Sequence, residues 1–224
     1  MTLQRGYSMP GYDVKFETLS IENVDFFIRS LKDKQQFSDP DQIAEKMGIS
    51  SAIWPLFGVV WPSALILVKH MAHFNSEGKR VLEIGCGLGI ASLVMHQRSV
   101  DITACDYHPM AGSFLRKNVA INNLAPLPFE VGNWLTENPR LGKFDVIIGS
   151  DVLYERTHAS VLSQFIDRHA HPHVEVKIVD PGRGHQGKFG RAMEELGYDA
   201  TVEKATSENI QGSPYHGKIL TYQR

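Results

Sequence analysis

The stretch Val81–Ile90 places the tightest limit on what this chain can fold into. It reads VLEIGCGLGI, an apolar run that contains one acidic residue, Glu83, and passes into alternating glycines. Glycine lets a backbone turn tightly and lets a ligand approach it closely. The stretch therefore predicts a buried strand, a glycine turn and the start of a helix, in that order. The turn glycines are Gly85, Gly87 and Gly89.

The alternation of strand and helix continues along the rest of the chain. Short apolar runs alternate with longer segments that carry apolar residues at helical spacing, which is typical of strands joined by crossover helices. We therefore predict an α/β fold with a parallel sheet covered by helices. The predicted strands are Arg80–Ile84, Ile102–Cys105, Phe129–Val131, Phe144–Gly149, Val174–Val179, Asp199–Glu203 and Ile219–Tyr222. The predicted helices are Ile90–Gln97, Met110–Asn122, His158–His169 and Gln186–Leu196.

The part of the chain before the first sheet strand has a different pattern. We predict that residues 1–53 form an N-terminal cap, which is not an independent domain, and that residues 54–224 form the main domain. Within the cap, Tyr12–Ile21 alternates like a strand or hairpin, and Val24–Leu31 is interpreted as a helix. Proline is tolerated in the first turn of a helix, so Pro62–His73 is predicted as a helix that leads into the sheet.

Charge and composition disfavour several functional classes. The 224 residues include 23 basic and 25 acidic side chains, for a net charge of −2, and no basic block stands out. Nucleic acid is therefore not expected as a partner. Residues Met1–Pro10 lack a basic start followed by an apolar stretch, so we expect no export signal. We also expect no apolar run that approaches the roughly 18–20 residues of a membrane helix, and hence no membrane partner.

Cysteines and histidines indicate neither a disulfide nor a metal site. The two cysteines, Cys86 and Cys105, lie in apolar runs without CxxC spacing and are interpreted as small buried side chains. Their use fits a reducing compartment, so we expect a cytoplasmic location. The histidine cluster His169–His173 is interpreted as a solvated loop before the fifth strand, because no carboxylate or cysteine spacing completes a metal site.

Polar residues follow the next two predicted strands. Asp106 comes about twenty residues after the glycine turn, where a carboxylate can accept hydrogen bonds from both hydroxyls of a ribose. The alternative for Asp106 is a cap for the next helix. Asn133 could bind an adenine amino group and Trp134 could stack on the purine, although a tryptophan there is also typical of a core. Ligands of open α/β sheets bind beyond the carboxyl ends of the strands, so we expect these residues around one pocket.

The spacing of the glycines separates three nucleotide motifs. A dinucleotide fingerprint needs a third glycine where this chain has Ile90, and a Walker loop needs a Gly-Lys-Ser/Thr that does not follow. The remaining pattern, E-x-G-x-G-x-G, resembles motif I of the class I S-adenosylmethionine (SAM)-dependent methyltransferases. The resemblance implies SAM as the cofactor and S-adenosylhomocysteine as the product. It also implies that Glu83 and the glycine turn hold the amino-acid part of the cofactor.

A second motif, Asp151-Val152-Leu153-Tyr154, follows the fourth predicted strand. Methyl transfer to nitrogen is an in-line displacement, so the protein has to position a neutral amine and desolvate the reacting pair. Asp151 is predicted to orient an N–H of the acceptor, and Tyr154 to wall the pocket and contact the acceptor nitrogen. A carboxylate also raises the pKa of a nearby amine, so Asp151 is interpreted as a positioning group rather than a strong base.

Together the motifs resemble the D-x-x-Y group of seven-strand protein-lysine methyltransferases. The resemblance rests on Val60–Ala64, Glu83–Gly89, Asp106–Pro109 and Asp151–Glu155. It implies a Rossmann-like, seven-stranded, mostly parallel sheet with helices on both faces and an antiparallel last strand. It implies further cofactor contacts from Trp61, Tyr107 and Ser150. The D-x-x-Y residues would line a target lysine of a protein substrate.

The segment Asp180-Pro181-Gly182-Arg183, after the fifth strand, is similar to bacterial members of this group described as nicotinamide or protein N-methyltransferases. Within it, Arg183 either contacts an acidic acceptor or starts the next helix. Methylation of a protein lysine is the function that the motifs favour. Two alternatives stay open at this point, a methyltransferase for a small amine or nitrogen heterocycle and a catalytically silent SAM-binding interaction protein. The acceptor and the oligomeric state are not predicted.

Overall fold

Strands and helices alternate along the chain in the computed structural model, which describes residues 11–155, 157–210 and 212–224. The strands are β1 (Val14–Ile21), β2 (Val24–Leu31), β3 (Arg80–Ile84), β4 (Asp101–Asp106), β5 (Phe129–Val131), β6 (Phe144–Ser150), β7 (Ala170–Asp180), β8 (Asp199–Ile210) and β9 (Ser213–Gln223). The helices are α1 (Ile43–Lys46), α2 (Pro62–Ala72), α3 (Ile90–Gln97), α4 (Ala111–Ile121), α5 (His158–His169) and α6 (Gln186–Glu195), with a 3-10 helix at Trp54–Gly58. The expectation about an export signal concerns Met1–Pro10, which lies outside the described residues.

Seven strands form one sheet in the order β5-β4-β3-β6-β7-β9-β8. Neighbours run parallel from β5 to β7, whereas β9 is antiparallel to both β7 and β8. The predicted mostly parallel seven-stranded sheet is confirmed, and so is the antiparallel last strand. The strand order reverses between β3 and β6, which is where an open α/β sheet leaves a crevice at its carboxyl edge.

Side chains of the central strands alternate between two apolar cores, one on each face of the sheet. In β3, Val81 joins the core formed with α2, α3 and α4, whereas Leu82 and Ile84 join the core formed with α5 and α6. In β6, Val146 and Ile147 divide between the two cores in the same way. The predicted placement of helices on both faces is confirmed. Because both faces are covered, these strands are mostly apolar, with Glu83 and Asp145 as the acidic exceptions, and the sequence therefore identifies them well.

The strands on the antiparallel side extend further than predicted. β7 begins at Ala170, so most of the cluster His169–His173 belongs to a strand and not to a solvated loop. Ala170 pairs with Phe144 of β6, and a register shift in β6 follows this pair. β8 and β9 pair with each other along most of their length, beyond the apolar residues that indicated them. Backbone groups alone make that pairing, so the sequence carries no apolar signal for it.

The predicted helix at Val24–Leu31 is wrong, because this segment is strand β2. It pairs antiparallel with β1 in a separate two-stranded sheet. Glu22 and Asn23 join the two strands with φ angles of 49° and 64°, the left-handed geometry of a two-residue type I′ turn. Phe26 is buried and Phe27 is exposed, as expected for a strand with one face against the core. The apolar residues of the segment also fit helical spacing, and this ambiguity explains the error.

Two asparagines attach the hairpin of β1 and β2 to α4. The side-chain oxygen of Asn118 accepts a hydrogen bond from the Arg29 N–H at 2.8 Å. Asn122 accepts a hydrogen bond from the Phe27 N–H at 2.8 Å and donates one to the Phe27 oxygen at 2.7 Å. The inner face of the hairpin packs into the core that contains α2, α3 and α4. The hairpin therefore shares a core with the main sheet.

The apolar stretch Trp54–Ala72 is as long as a membrane helix, although we expected no apolar run of that length. Its 19 residues and mean hydropathy of 1.4 meet the length and composition of a membrane-crossing helix, so that expectation is wrong. In the structure the stretch consists of the 3-10 helix followed by α2, whose 11 residues span about 17 Å, short of the roughly 30 Å of a bilayer core. Half of the stretch is buried inside the protein. Leu67 and Met71 lie in the core, and packing there accounts for apolar residues in α2.

Replacing Asn118 with alanine is expected to loosen the hairpin from α4. The buried Asn118 side chain accepts the hydrogen bond of the Arg29 N–H, so its loss should lower the free energy of unfolding by about 1–3 kcal/mol. Urea denaturation followed by circular dichroism measures this change. The exposed Lys117 on the same helix provides the control variant Lys117→Ala. Equal stability of the two variants would contradict the anchoring role of Asn118.

Candidate functional site

The turn after β3 requires glycine for two reasons. Gly85, Gly87 and Gly89 have φ angles of 57°, 54° and 69°, in the left-handed region that side chains disfavour. A Cβ on Gly87 would lie 2.8 Å from the backbone oxygen of Phe57, and a Cβ on Gly85 would lie 2.7 Å from the side chain of Val152. The turn therefore presents bare backbone to the space beyond the end of β3.

A cavity of about 740 Å³ opens beyond the carboxyl ends of β3, β4, β5 and β6. The strand order reverses here, and open α/β sheets bind their ligands at this position. Every site residue predicted from the sequence lines the cavity except Glu83 and Gly89. The predicted residues that line it are Trp61, Gly85, Gly87, Asp106, Tyr107, Asn133, Trp134, Ser150, Asp151 and Tyr154.

Glu83 and Gly89 support the glycine turn from the protein interior. Glu83 is buried, and its carboxylate accepts hydrogen bonds from the Ser92 N–H at 2.8 Å and from the Ser92 hydroxyl. Burial raises the pKa of Glu83 to about 7, while the hydrogen bonds from Ser92 act in the opposite direction. Gly89 precedes α3, where a Cβ would lie 2.5 Å from the side chain of Leu115. These contacts join β3 and the turn to α3.

Asp106 lies at the end of β4 and holds the glycine turn. Its Oδ2 accepts a hydrogen bond from the Gly87 N–H at 2.7 Å, and its Oδ1 accepts one from the His108 N–H at 2.7 Å. Burial raises the pKa of Asp106, and the backbone hydrogen bonds oppose that shift. Within the described part of the chain no side chain caps α4, which begins at Ala111, so Asp106 is not the helix cap considered as its alternative. Each carboxylate oxygen keeps a lone pair for a further donor.

Asn133 and Trp134 follow β5 on the same side of the cavity. The Asn133 side-chain oxygen accepts a hydrogen bond from the Leu135 N–H at 2.9 Å, which folds the loop after β5. Trp134 lies edge to face with His158, with 4.9 Å between ring centroids, and it packs against the core of α5 and α6. Trp134 therefore packs against the core and also lines the cavity, so stacking on a purine stays a prediction.

Asp151 occupies an unusual backbone position directly after β6. Its φ angle is 54°, and its N–H donates a hydrogen bond to the Val179 oxygen of β7 at 2.8 Å. Its side chain is 9% exposed. The Arg183 guanidinium donates from Nε to Oδ1 of Asp151, and from Nη2 to Oδ2 at 2.7 Å. Arg183 therefore does not start α6, which begins at Gln186. Its guanidinium binds Asp151, a contact that was not predicted from the sequence.

Tyr154 forms the outer wall of the same end of the cavity. It is 40% exposed, and its ring lies edge to face with His158, with 4.5 Å between centroids. Burial raises the pKa of Tyr154 to about 12, and the nearby carboxylates of Asp106, Glu155 and Asp151 add to the shift. The phenol therefore stays protonated at neutral pH and can donate or accept a hydrogen bond at the cavity.

Several cavity residues were not predicted from the sequence. His108 is buried and stacks on Phe57, with 4.0 Å between ring centroids. Burial lowers the pKa of His108 to about 3, so the ring is neutral. From the N-terminal region, Met47 lines the cavity and its oxygen accepts a hydrogen bond from the Tyr107 hydroxyl at 2.9 Å. The Asp180–Arg183 motif was the sequence signal for Arg183, but its partner became visible only in the fold.

The two cysteines are buried thiols, of which Cys86 lines the cavity, and His169 joins two structural elements. Cys86 and Cys105 are free and buried, and burial raises the pKa of both thiols. The Nδ1 of His169 makes a hydrogen bond with the Gly142 oxygen at 2.8 Å, which joins the end of α5 to the loop before β6. Within residues 11–155, 157–210 and 212–224, no three His, Cys, Asp or Glu side chains are grouped to hold a metal ion.

Solved structures of SAM-dependent methyltransferases share the fold of this chain. A solved structure with this fold is magnesium protoporphyrin IX methyltransferase from Synechocystis PCC 6803 with bound SAM. Its TM-score is 0.58 at 16% identity, and the match covers 73% of this chain and 80% of that one. The profile of the lysine methyltransferase family matches residues 40–188, more than half of the chain. The protein belongs to the lysine methyltransferase family.

Curated relatives are similar over part of their length. The chain is 27% identical over 161 residues to the electron transfer flavoprotein beta subunit lysine methyltransferase of Danio rerio, a match that covers 69% of this chain and 62% of that protein. It is 28% identical over 123 residues to the protein N-lysine methyltransferase METTL21A of Xenopus tropicalis, covering 50% of this chain and 57% of that protein. The chain therefore spans about three fifths of the length of these relatives.

The raised pKa of Glu83 predicts a pH dependence of stability. Its pKa is about 7 in the folded protein and 4.5 for the unperturbed group, so the folded state binds the proton more tightly. The stability that this proton contributes is complete below pH 4.5 and is lost as the pH rises towards 7. Between these limits, the wild type should lose on the order of 3 kcal/mol relative to Glu83→Gln.

Urea denaturation at several pH values measures this difference. The control is Glu77→Gln, which makes the same substitution at an exposed position and should leave the slope of stability against pH unchanged. Identical slopes for wild type and Glu83→Gln would show that Glu83 does not titrate in this range.

Proposed function

We propose that the protein is a SAM-dependent N-methyltransferase that modifies a lysine side chain of another protein. The observation that carries this proposal is one cavity in which the glycine turn and Asp106 meet Asp151 and Tyr154. Membership of the lysine methyltransferase family supports the reaction. The relatives are described as lysine methyltransferases, which supports a protein acceptor.

The residues around the glycine turn fit SAM. Gly85 and Gly87 line the cavity with backbone alone, because a Cβ at either position would collide with Val152 or the Phe57 oxygen. Asp106 keeps lone pairs with which it can accept hydrogen bonds from ribose hydroxyls. Asn133 and Trp134 line the same cavity and offer an amide and a ring to the adenine. Further cofactor contacts are proposed for Trp61, Tyr107 and Ser150, with Glu83 and Gly89 shaping the turn. When bound, SAM supplies an electrophilic methyl group on a positively charged sulfur.

The other end of the cavity suits an amine acceptor. Tyr154 reaches the protein surface, while the Asp151 carboxylate is nearly buried, so a lysine side chain can enter past the ring. An oxygen of Asp151 accepts an N–H of the amine, and the ring of Tyr154 excludes water from the reacting pair. The proton that the acceptor ammonium has to lose passes to water, since Asp151 positions the amine and does not act as a strong base.

Two competing functions use the same cavity differently. A small amine or heterocycle would bind beside Asp151 without any protein acceptor, and a silent interaction protein would bind SAM without transferring its methyl group. We also propose a cytoplasmic location for the methyltransferase, supported by the two buried free thiols, Cys86 and Cys105, which suit a reducing compartment.

The first test measures transfer of labelled methyl groups from SAM into a fractionated cell extract by the wild type and by Asp151→Asn. Asparagine tolerates the left-handed φ of this position, so the variant removes the charge and keeps the backbone. We expect label in a discrete protein band, a roughly 100-fold slower transfer by the variant, and nearly unchanged SAM affinity. Asp199→Asn, at an exposed position, is the control.

The other outcomes of this test separate the alternatives. Label only in the small-molecule fraction would favour a small acceptor. SAM binding without any transfer would favour a silent interaction protein. An equal loss of SAM affinity and transfer in Asp151→Asn would make Asp151 a cofactor or structural residue.

Replacing Asp106 with alanine is expected to weaken SAM binding by on the order of 1–3 kcal/mol, or roughly 5- to 150-fold in Kd. The variant loses the proposed ribose contacts and also the hydrogen bond that holds the Gly87 N–H. Isothermal titration calorimetry with SAM measures the change. The control Asp101→Ala removes an exposed carboxylate at the opposite end of β4. Unchanged affinity in Asp106→Ala would remove this residue from the cofactor site.

A further inference from the structure

Arg183 covers the carboxylate that the proposed reaction places beside the acceptor. Its guanidinium contacts both oxygens of Asp151 with two N–H donors, in the bidentate arrangement that fixes a carboxylate best. Each oxygen of Asp151 keeps a lone pair that points elsewhere. Both residues line the cavity. The Asp151 side chain is 9% exposed and the Arg183 side chain 41%, so the arginine lies on the solvent side of the pair.

An uncompensated carboxylate at this position would oppose methyl transfer. A free lysine amine has a pKa of about 10.4, so most of it is already an ammonium ion at neutral pH. A negative charge within about 4–6 Å raises that pKa further, because it favours the charged form. An ammonium nitrogen has no lone pair with which to attack a methyl group. Asp151 would therefore orient the acceptor and at the same time keep it unreactive.

We propose that Arg183 is a positioning residue that neutralises Asp151 and fixes the direction of its carboxylate, so that Asp151 orients the acceptor amine without holding it in the ammonium form. This inference rests on the proposed function. The ion pair carries no net charge, so it raises the pKa of a neighbouring amine much less than a lone carboxylate does. The free lone pairs of Asp151 still accept an N–H from the neutral amine.

The surroundings of Arg183 support this role. It lies between Gly182 and Gly184, whose φ angles of 93° and 87° bend the loop after β7 back towards β6. Its guanidinium carbon lies 5.9 Å from the centroid of the Trp61 ring, within the range of a cation–π contact. The hydrogen bond with Asp151 raises the pKa of Arg183, so the arginine stays charged.

Other titratable groups act on this pair from the elements packed around it. Asp180, at the end of β7, is buried, accepts a hydrogen bond from the Gly182 N–H at 2.7 Å and acts on Arg183. Beyond the effect of burial, Asp151 raises and Arg183 lowers the pKa of Tyr154, and Asp151 also raises the pKa of Tyr215 in β9. The remaining groups that act on Tyr154 are Asp106 and Glu155. Arg183 is the cation that pairs with Asp151, so its removal leaves this carboxylate without its counter-charge.

The test is the pH dependence of methyl transfer by wild type, Arg183→Gln and Arg183→Lys. The assay uses labelled SAM and the extract fraction that contains the labelled protein, from about pH 6 to pH 10, where the neutral fraction of lysine rises. The transfer rate of Arg183→Gln should rise with pH as in the wild type, but about one pH unit higher. At neutral pH this shift corresponds to roughly tenfold slower transfer. The rates should converge at high pH, and Arg183→Lys should recover part of the loss. The exposed Arg191 provides the control Arg191→Gln.

Three results of this assay would overturn the inference. An equal loss at every pH would indicate a purely structural role for Arg183. An unchanged pH dependence of transfer would show that Arg183 has no role in the reaction. Faster transfer by Arg183→Gln at neutral pH would show that the arginine blocks the acceptor position.

A second measurement does not depend on activity. Thermal denaturation of Arg183→Gln, Asp151→Asn and the double variant shows whether the two side chains are coupled in solution. The double variant should lose less stability than the sum of the two single variants, because either single variant leaves a charge without its partner. We call such losses coupled. Additive losses would overturn the inference even if lysine methylation is observed. Coupled losses in a protein that binds SAM but transfers no methyl group would instead overturn the proposed function, and the catalytic part of the inference with it.

Discussion

The hydrogen bond from the Gly87 N–H to the Asp106 carboxylate is the contact on which the candidate site depends. It joins the turn after β3 to the end of β4 across 2.7 Å. A buried carboxylate is costly without donors, and the backbone N–H groups of Gly87 and His108 supply them. The same contact keeps the glycine turn open, with bare backbone along the cavity. The cofactor end of the site is therefore built mainly from strand ends and backbone.

The reacting end is built differently, from loops that contact each other across the sheet. Asp151 has a left-handed backbone, which is unfavourable for most residues but tolerated by aspartate. Its N–H is held by the Val179 oxygen of β7, and its carboxylate by Arg183 from the loop after β7. The carboxylate thus depends on a neighbouring strand for its position and on an arginine for its charge. This arrangement links the geometry of β6 and β7 to the chemistry proposed for the acceptor.

The accuracy of the sequence predictions follows from burial. Strands β3 and β5 and helices α3 and α5 have the predicted bounds. Strand β3 lies inside the sheet between two covered faces, which favour an apolar run. Val24–Leu31 was misjudged because one buried face and one exposed face can give both strand and helix spacings over eight residues. The apolar length of Trp54–Ala72 was underestimated. Half of this stretch is buried, and packing in the core explains why it is as apolar as a membrane helix.

The sequence by itself determined the α/β class, the glycine turn and the set of polar residues at the strand ends, since glycine geometry and apolar periodicity are local properties. Only the tertiary structure decided which of these residues line the cavity and which support it. Glu83 was predicted at the cofactor but lies against Ser92, because the alternation of β3 directs its side chain into the protein. Arg183 was left between two roles and proves to pair with Asp151. These two residues are 32 positions apart in the chain, and only the parallel pairing of β6 and β7 brings them together.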